Sequence, residues 1–154
     1  MLFRSSEFEQ AWQQLADDSR SRQQSYEPHY EGSAVVAGPP GGVCSIHGKY
    51  GYPALAGHHL TPQVLSSGKN VYEELGQGFT LLAFGANDQM VTGFHDAAEA
   101  LHVPLKVVRD DAQDGRAKYE ASLILVRPDQ YVVWTGSDSA ASPSAVLRTA
   151  TGRS

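Results

Sequence analysis

His47, His58 and His59 share a stretch rich in Gly and Pro with Tyr50 and Tyr52. Imidazole exchanges a proton near neutral pH, and a phenol can donate or accept a hydrogen bond. Such rings together can bind or protonate an aromatic or polyketide-like ligand without a cofactor. His58, His59, Tyr50 and Tyr52 are therefore the candidate acid–base residues. No carboxylate adjoins them in sequence to orient an imidazole, so the competing reading is that the rings pack this loop onto the fold and satisfy their polar atoms locally.

Other constellations carry less chemistry. Cys44 is the single cysteine, which removes an internal disulfide and C-x-x-C exchange, and an inert, partly buried thiol is expected. His95, Glu99 and His102 have metal-capable helical spacing, but on a helix they fall opposite an apolar stripe, so a solvated face is expected and no metal is assigned. Asp110, Asp114 and Gly115 resemble the start of a calcium loop that then fails at Ala112 and Ala121, where ligands are required. Gly76-Gln77-Gly78 is too short for a phosphate cradle and precedes a strand, and no G-x-S-x-G elbow occurs.

The elements that must position these residues follow from periodicity. Phe8, Trp12 and Leu15 make an amphipathic helix from residue 5 to about 20, opened by a Ser6/Glu9 capping box, and Ser19–Gln24 is a polar linker. Ser33–Ala37 is expected as a short strand stopped by Gly38-Pro39-Pro40-Gly41-Gly42, and Cys44–Gln63 as a long ordered loop. Asn70 caps a two-turn helix closed by Gly76 in a positive-φ conformation. Phe79–Phe84 reads as a strand buried on both faces, and Asn87 caps a helix with the stripe Met90, Phe94, Ala97 and Leu101. Leu105–Arg109 is a parallel partner strand, Ser122–Val126 and Tyr131–Trp134 a hairpin about Arg127–Gln130, and Ser142-Pro143 opens a last helix carrying Val146 and Leu147. The expected fold is α/β with a thioredoxin-like β-α-β-β-β-α core that lacks the C-x-x-C motif. Residues 1–25 form its N-terminal helix and linker, and 26–154 the domain. A helix between the second and third core strands would fall in the polar, Gly-broken Asp110–Lys118, so a shortened variant is expected.

Composition narrows the classes. The chain has 154 residues, 41% of them hydrophobic and 19% charged, which suits one globular domain. A net charge of −5 offers no basic field for nucleic acid or anionic membranes. No apolar run is long enough to span a bilayer, and Met1-Leu2-Phe3-Arg4 leads into polar residues rather than a signal core, so the cytoplasm is the expected location.

Three segments carry a resemblance. His29-Tyr30-Glu31-Gly32-Ser33-Ala34-Val35-Val36 is the first. The second is Gly57-His58-His59-Leu60-Thr61-Pro62 followed by Asn70-Val71-Tyr72-Glu73-Glu74-Leu75-Gly76-Gln77-Gly78-Phe79-Thr80-Leu81-Leu82. The third is Leu125-Val126-Arg127-Pro128-Asp129-Gln130-Tyr131-Val132-Val133-Trp134. Together, over about residues 26 to 151, they resemble the C-terminal domain of the flavin-dependent aromatic-ring hydroxylases of the phenol hydroxylase and hydroxyphenylpropionate hydroxylase type. His59 departs from the Arg common at its position. The resemblance implies a thioredoxin-like module without its cysteines, non-catalytic by itself, because FAD and NAD(P)H belong to a catalytic part that this sequence lacks. On this view no cofactor or metal is expected in the chain. Phe8, Trp12 and Leu15 would mediate dimerisation or docking to a flavoprotein subunit. The alternative is a cofactor-free isomerase, cyclase or hydrolase acting on an aromatic metabolite through the His/Tyr loop. Met1 at a plausible start argues against a mere excised fragment of a hydroxylase.

Overall fold

The computed structural model describes residues 9–14, 25–48, 51–111, 117–136 and 142–153. In chain order these form α1 (residues 9–14), β1 (Ser25–His29), β2 (Ser45–Gly48), α2 (Val71–Glu74), β3 (Phe79–Phe84), α3 (Asp88–Ala100), β4 (Leu105–Asp110), α4 (described at 117–119), β5 (Leu123–Val126), β6 (Val132–Gly136) and α5 (Pro143–Ala150). The main sheet has the order β4-β3-β5-β6, with β3 and β4 parallel and the pairs β3/β5 and β5/β6 antiparallel. This is the element order expected from the apolar runs.

Both faces of that sheet are covered, which is why its central strands β3 and β5 are almost wholly apolar. Leu81, Ala83, Leu123 and Leu125 point to one face and pack under α3 and α5, against Phe94, Val146 and Leu147. Leu82, Phe84, Ile124 and Val126 point to the other. There the cover comes from the long loop and α2, through Ala54, Leu60, Leu65 and Val71, and from Tyr119 of α4, rather than from a long helix. Strand alternation sends neighbouring residues to opposite faces and so demands two covers from one chain. Asn87 caps α3 by accepting from the Gln89 amide at 2.8 Å. Val91, Phe94 and Ala98 are its buried residues, whereas Met90, Ala97 and Leu101 flank them partly buried. The expected stripe therefore shares Phe94 with the contact line, while its Met90, Ala97 and Leu101 pack at the flank.

Local expectations are corrected at Ser33–Ala37, in the Cys44–Gln63 loop, where β2 lies, and at Gly76. Ser33–Ala37 is not a strand. The Ser33 amide bonds back to Tyr30 O and the Val36 amide to Ser33 O, each at 3.0 Å, and these turns curl the chain after Gly32 (φ 76°). The strand of this region is β1, paired antiparallel with β2 in a two-stranded ribbon that the sequence reading missed. Helix α2 has its Asn70 cap, but it ends in extended Leu75 and Gly76 has no positive φ. Ser142 at the N-cap and Pro143 in the first turn open α5 as expected, the cap position carrying no side-chain cap bond. Of the N-terminal helix, residues 9–14 are helical with Trp12 exposed, and Phe8 and Leu15 lie outside the described residues. Among the described residues no helix is long and apolar enough to cross a membrane.

Candidate functional site

The ribbon brings together ionisable groups that the sequence holds far apart. In β1, side chains alternate, so Glu27 and His29 face the body of the protein while Tyr26 is exposed. Glu31 follows just past the strand. The segment 57–60 meets them from the other side, held along the edge of β6 by Gly57 N to Val132 O at 2.7 Å, Val132 N to His58 O at 2.8 Å and Leu60 N to Gln130 O at 2.8 Å. Tyr30 N also donates to Gly57 O at 2.7 Å. Gly57 is needed at this crossing: its φ is +93°, and a Cβ there would stand 2.6 Å from the Glu31 amide. The close approach sets His58 beside Glu31.

Four side chains converge. The rings of His29 and His58 stack with centroids 4.6 Å apart and planes 4° from parallel. His58 Nε2 donates to Glu31 Oε1 at 2.6 Å, and its Nδ1 lies 3.8 Å from Glu27 Oε1. His29 Nδ1 stands 3.9 Å from the same Glu31 oxygen, while His29 Nε2 donates to the His47 carbonyl at 3.2 Å. Glu27, Oε2 included, is buried, with only 6% of its side chain exposed, against 13% for each histidine and 37% for Glu31. Among the described residues Glu27 Oε2 and His29 Nδ1 have no hydrogen-bond partner. A cavity of about 450 Å³, lined by Glu31, Gly38, Leu55, Ala56 and Thr135, opens beside Glu31. Two imidazoles and two carboxylates so placed can hold a cation or relay a proton, and atoms of His29, Glu31 and His58 all lie within 4.8 Å of one another.

The sequence candidates separate. His58 enters this cluster. His59 points the opposite way, as its neighbour on an extended segment must. Its Nδ1 lies 3.4 Å from the Tyr72 hydroxyl and its ring is edge-on to Tyr131 at 5.2 Å. Tyr72 donates to the Leu60 carbonyl, and Tyr131 to Pro28 O at 3.2 Å, which ties β1 to the hairpin. Tyr52 is exposed, and Tyr50 lies outside the described residues. His47 contributes its carbonyl to the cluster rather than its ring. Cys44 is exposed rather than partly buried, its thiol directed at the Glu31 carbonyl at 3.4 Å. The carboxylates that the loop lacked in sequence are supplied by Glu27 and Glu31. Their spacing with His29, every second residue, was the available signal.

Elsewhere, His95 and Glu99 lie exposed on α3, 3.9 Å apart, with Asp96 beside them. His102 does not join them, because it stands past the helix end with φ 52°. Asp110 is buried at the end of β4 and accepts from the Ser66 amide at 2.9 Å, while Asp114 and Gly115 lie outside the described residues. Burial, and secondarily Tyr72, pushes the phenol of Tyr119 well above its ordinary range, and it donates to Thr61 O at 2.6 Å.

The family model for the aromatic-ring hydroxylase C-terminal domain matches residues 54–154, which include the whole main sheet and the loop that covers it. The FAD-dependent monooxygenase apdD of Emericella nidulans is 33% identical over 92 residues, covering 57% of this chain and 15% of that protein. The FAD-dependent monooxygenase opdD of Penicillium oxalicum is 32% identical over 92 residues, covering 56% of this chain and 17% of that protein. Among solved structures, the rebeccamycin biosynthetic enzyme RebC with reduced flavin superposes with a TM-score of 0.67 at 30% identity, over 79% of this chain and 22% of that one. The chain thus corresponds to less than a fifth of the length of either curated relative. It belongs to the aromatic-ring hydroxylase C-terminal family.

Proposed function

We propose that the chain is a non-catalytic accessory module of thioredoxin-like fold that pairs with itself or docks on a flavin-bearing subunit. The observation that carries this reading is the family match to residues 54–154 together with relatives, named as FAD-dependent monooxygenases, that the chain matches over 15% and 17% of their length. The strand order β4-β3-β5-β6, with one parallel and two antiparallel pairs, supports the thioredoxin-like assignment. At the β3–α3 junction, where such a fold carries its reactive thiol, this chain has Gly85-Ala86-Asn87-Asp88.

The residues at that junction do not suit a flavin's pyrophosphate. A dinucleotide site uses the free amides of a helix N-terminus. Here the Asn87 side chain takes the Gln89 amide, and Asp88 places a carboxylate, paired with Arg109 at 2.7 Å, where a phosphate would approach. Flavin chemistry is accordingly assigned to the larger part that the relatives possess. The contact surface is assigned to the N-terminal helix, where Phe8, Trp12 and Leu15 share one face by spacing and Trp12 is 67% exposed.

Light scattering on the eluted full chain tests this. A dimer, or a stable complex with a co-expressed flavin-bearing hydroxylase subunit, that dissociates in Trp12→Ala supports the proposal. A monomer that captures no such subunit overturns it, as does a purified chain that stays yellow and retains flavin stoichiometrically through dialysis.

A further inference from the structure

We propose that His29, Glu31 and His58, backed by Glu27, bind a divalent transition-metal ion of the zinc class that staples the β1–β2 ribbon to the loop at residues 57–60. The proposal does not depend on the accessory role argued above.

The hydrogen-bond pattern leads to it. A carbonyl oxygen only accepts, so the contact with His47 O at 3.2 Å requires a hydrogen on His29 Nε2, and in the neutral imidazole that leaves the Nδ1 lone pair bare. That lone pair is buried and faces Glu31 Oε1 at 3.9 Å, one electron-rich atom toward another, with no donor between them among the described residues. Glu27 adds a second carboxylate, buried and with one oxygen unpartnered. Two buried or half-buried anions beside imidazoles call for a compensating positive charge, and burial makes its absence costly. A divalent ion matches two carboxylates in charge. The mixed nitrogen and oxygen donors select the zinc class over Ca²⁺ or Mg²⁺, which take oxygen. The bond from His29 Nε2 to a backbone carbonyl is the outer contact that orients metal-ligating histidines.

Capture requires a small rearrangement. The donor atoms span up to 4.8 Å, wider than the roughly 3.3 Å edge of a tetrahedral site with bonds of about 2 Å. The lone pairs of parallel rings do not converge, and His58 Nε2 carries the hydrogen it gives to Glu31, so His58 must take its hydrogen on Nδ1, on the Glu27 side, and turn out of its stack on His29 while Glu31, the most exposed of the four, swings inward from the cavity side. The backbone segments that carry these groups are already in contact at Gly57.

The full-length chain, stripped with EDTA and dialysed, is titrated with Zn²⁺ by calorimetry and with Co²⁺ by visible absorption. The expected result is one equivalent per chain, with Co²⁺ bands of four-coordinate intensity. His29→Ala and His58→Ala are expected to weaken binding about 100-fold or more, and Glu27→Gln, in an outer position, about tenfold. Because losing an imidazole can loosen the ribbon, Glu31→Gln is the second variant. It keeps the shape and an acceptor for His58 and is still expected to weaken binding at least about tenfold. Cys44→Ser and His95→Ala are expected to bind as the parent does. Failure to take up one equivalent overturns the proposal. So does uptake that survives His29→Ala and Glu31→Gln, or that disappears with Cys44→Ser or His95→Ala.

Discussion

The main sheet and the β1–β2 ribbon are stabilised by different physics. In the sheet, Leu81, Leu82, Leu123, Ile124, Leu125 and Val126 are fully buried, and their contribution grows with the apolar area removed from water, whatever the detailed orientation of each group. The ribbon exposes Tyr26 and Ile46 and buries Glu27. Its attachment rests on directed contacts: His58 with Glu31, Tyr131 with Pro28 O and Tyr30 with Gly57 O. The first kind of layer tolerates a change of apolar side chain that preserves volume. The second depends on which donor meets which acceptor and on the close backbone approach at Gly57.

That contrast can be broken or sharpened by substitution. The largest effect is expected in the sheet. Phe94→Ala removes a fully buried ring packed on Trp134 at 5.2 Å and should cost about 3–5 kcal/mol in urea unfolding. A loss below about 1 kcal/mol would show that α3 is not a principal cover of the sheet. Gly57→Ala comes next, at about 1–3 kcal/mol, since φ is +93° and the added carbon meets the Glu31 amide. Here proteolysis should open the ribbon before the intrinsic fluorescence of Trp134 reports loss of the core. Simultaneous loss of both signals would make the two regions one cooperative unit.

Glu31→Gln, smaller again at about 1–2 kcal/mol, exchanges a charged acceptor for a neutral one at the 2.6 Å contact. It should leave the sheet's urea slope unchanged. The smallest effect, about 1 kcal/mol, is expected for Tyr119→Phe, which deletes the bond to Thr61 O. This position also carries a pH signature. The folded-state pKa of Tyr119 is raised above its unfolded value of 10.0, first by burial and second by Tyr72, so the fold favours the neutral phenol. Its contribution is fully present below pH 10.0 and is lost as pH rises toward the raised folded value. Between pH 10.0 and that raised value, alkaline destabilisation should therefore be shallower in Tyr119→Phe than in the parent. Equal slopes would mean that Tyr119 ionises in the folded protein without penalty.

Legibility in the sequence follows the same division. Phe79–Phe84 is found as the apolar run placed it, and the hairpin of β5 and β6 turns at Arg127–Gln130 as expected. Each announces itself within a window of a few residues. The face of α3 is legible at Phe94 but not at its edges, because Met90 and Val91, or Ala97 and Ala98, are equally apolar and the choice between them depends on where α5 and the sheet lie. Strand β1 was missed because Ser25-Tyr26-Glu27-Pro28-His29 is polar and contains a proline, whereas the apolar Ser33–Ala37 attracted the assignment. His58 was a candidate from the start, but its partners were not, since Glu27, His29 and Glu31 lie about thirty residues away.

By itself the sequence determined the main strands and helices of the core, their order, that its one cysteine can form no internal disulfide, and the family likeness. Tertiary structure alone decided that His58 and His59 part company, that Glu31 meets an imidazole and that a glycine at 57 makes the meeting possible. The reason is that burial periodicity is a property of neighbouring residues and is written into any short window. A polar cluster depends on where distant segments close on one another, and that is fixed only when the whole chain has packed.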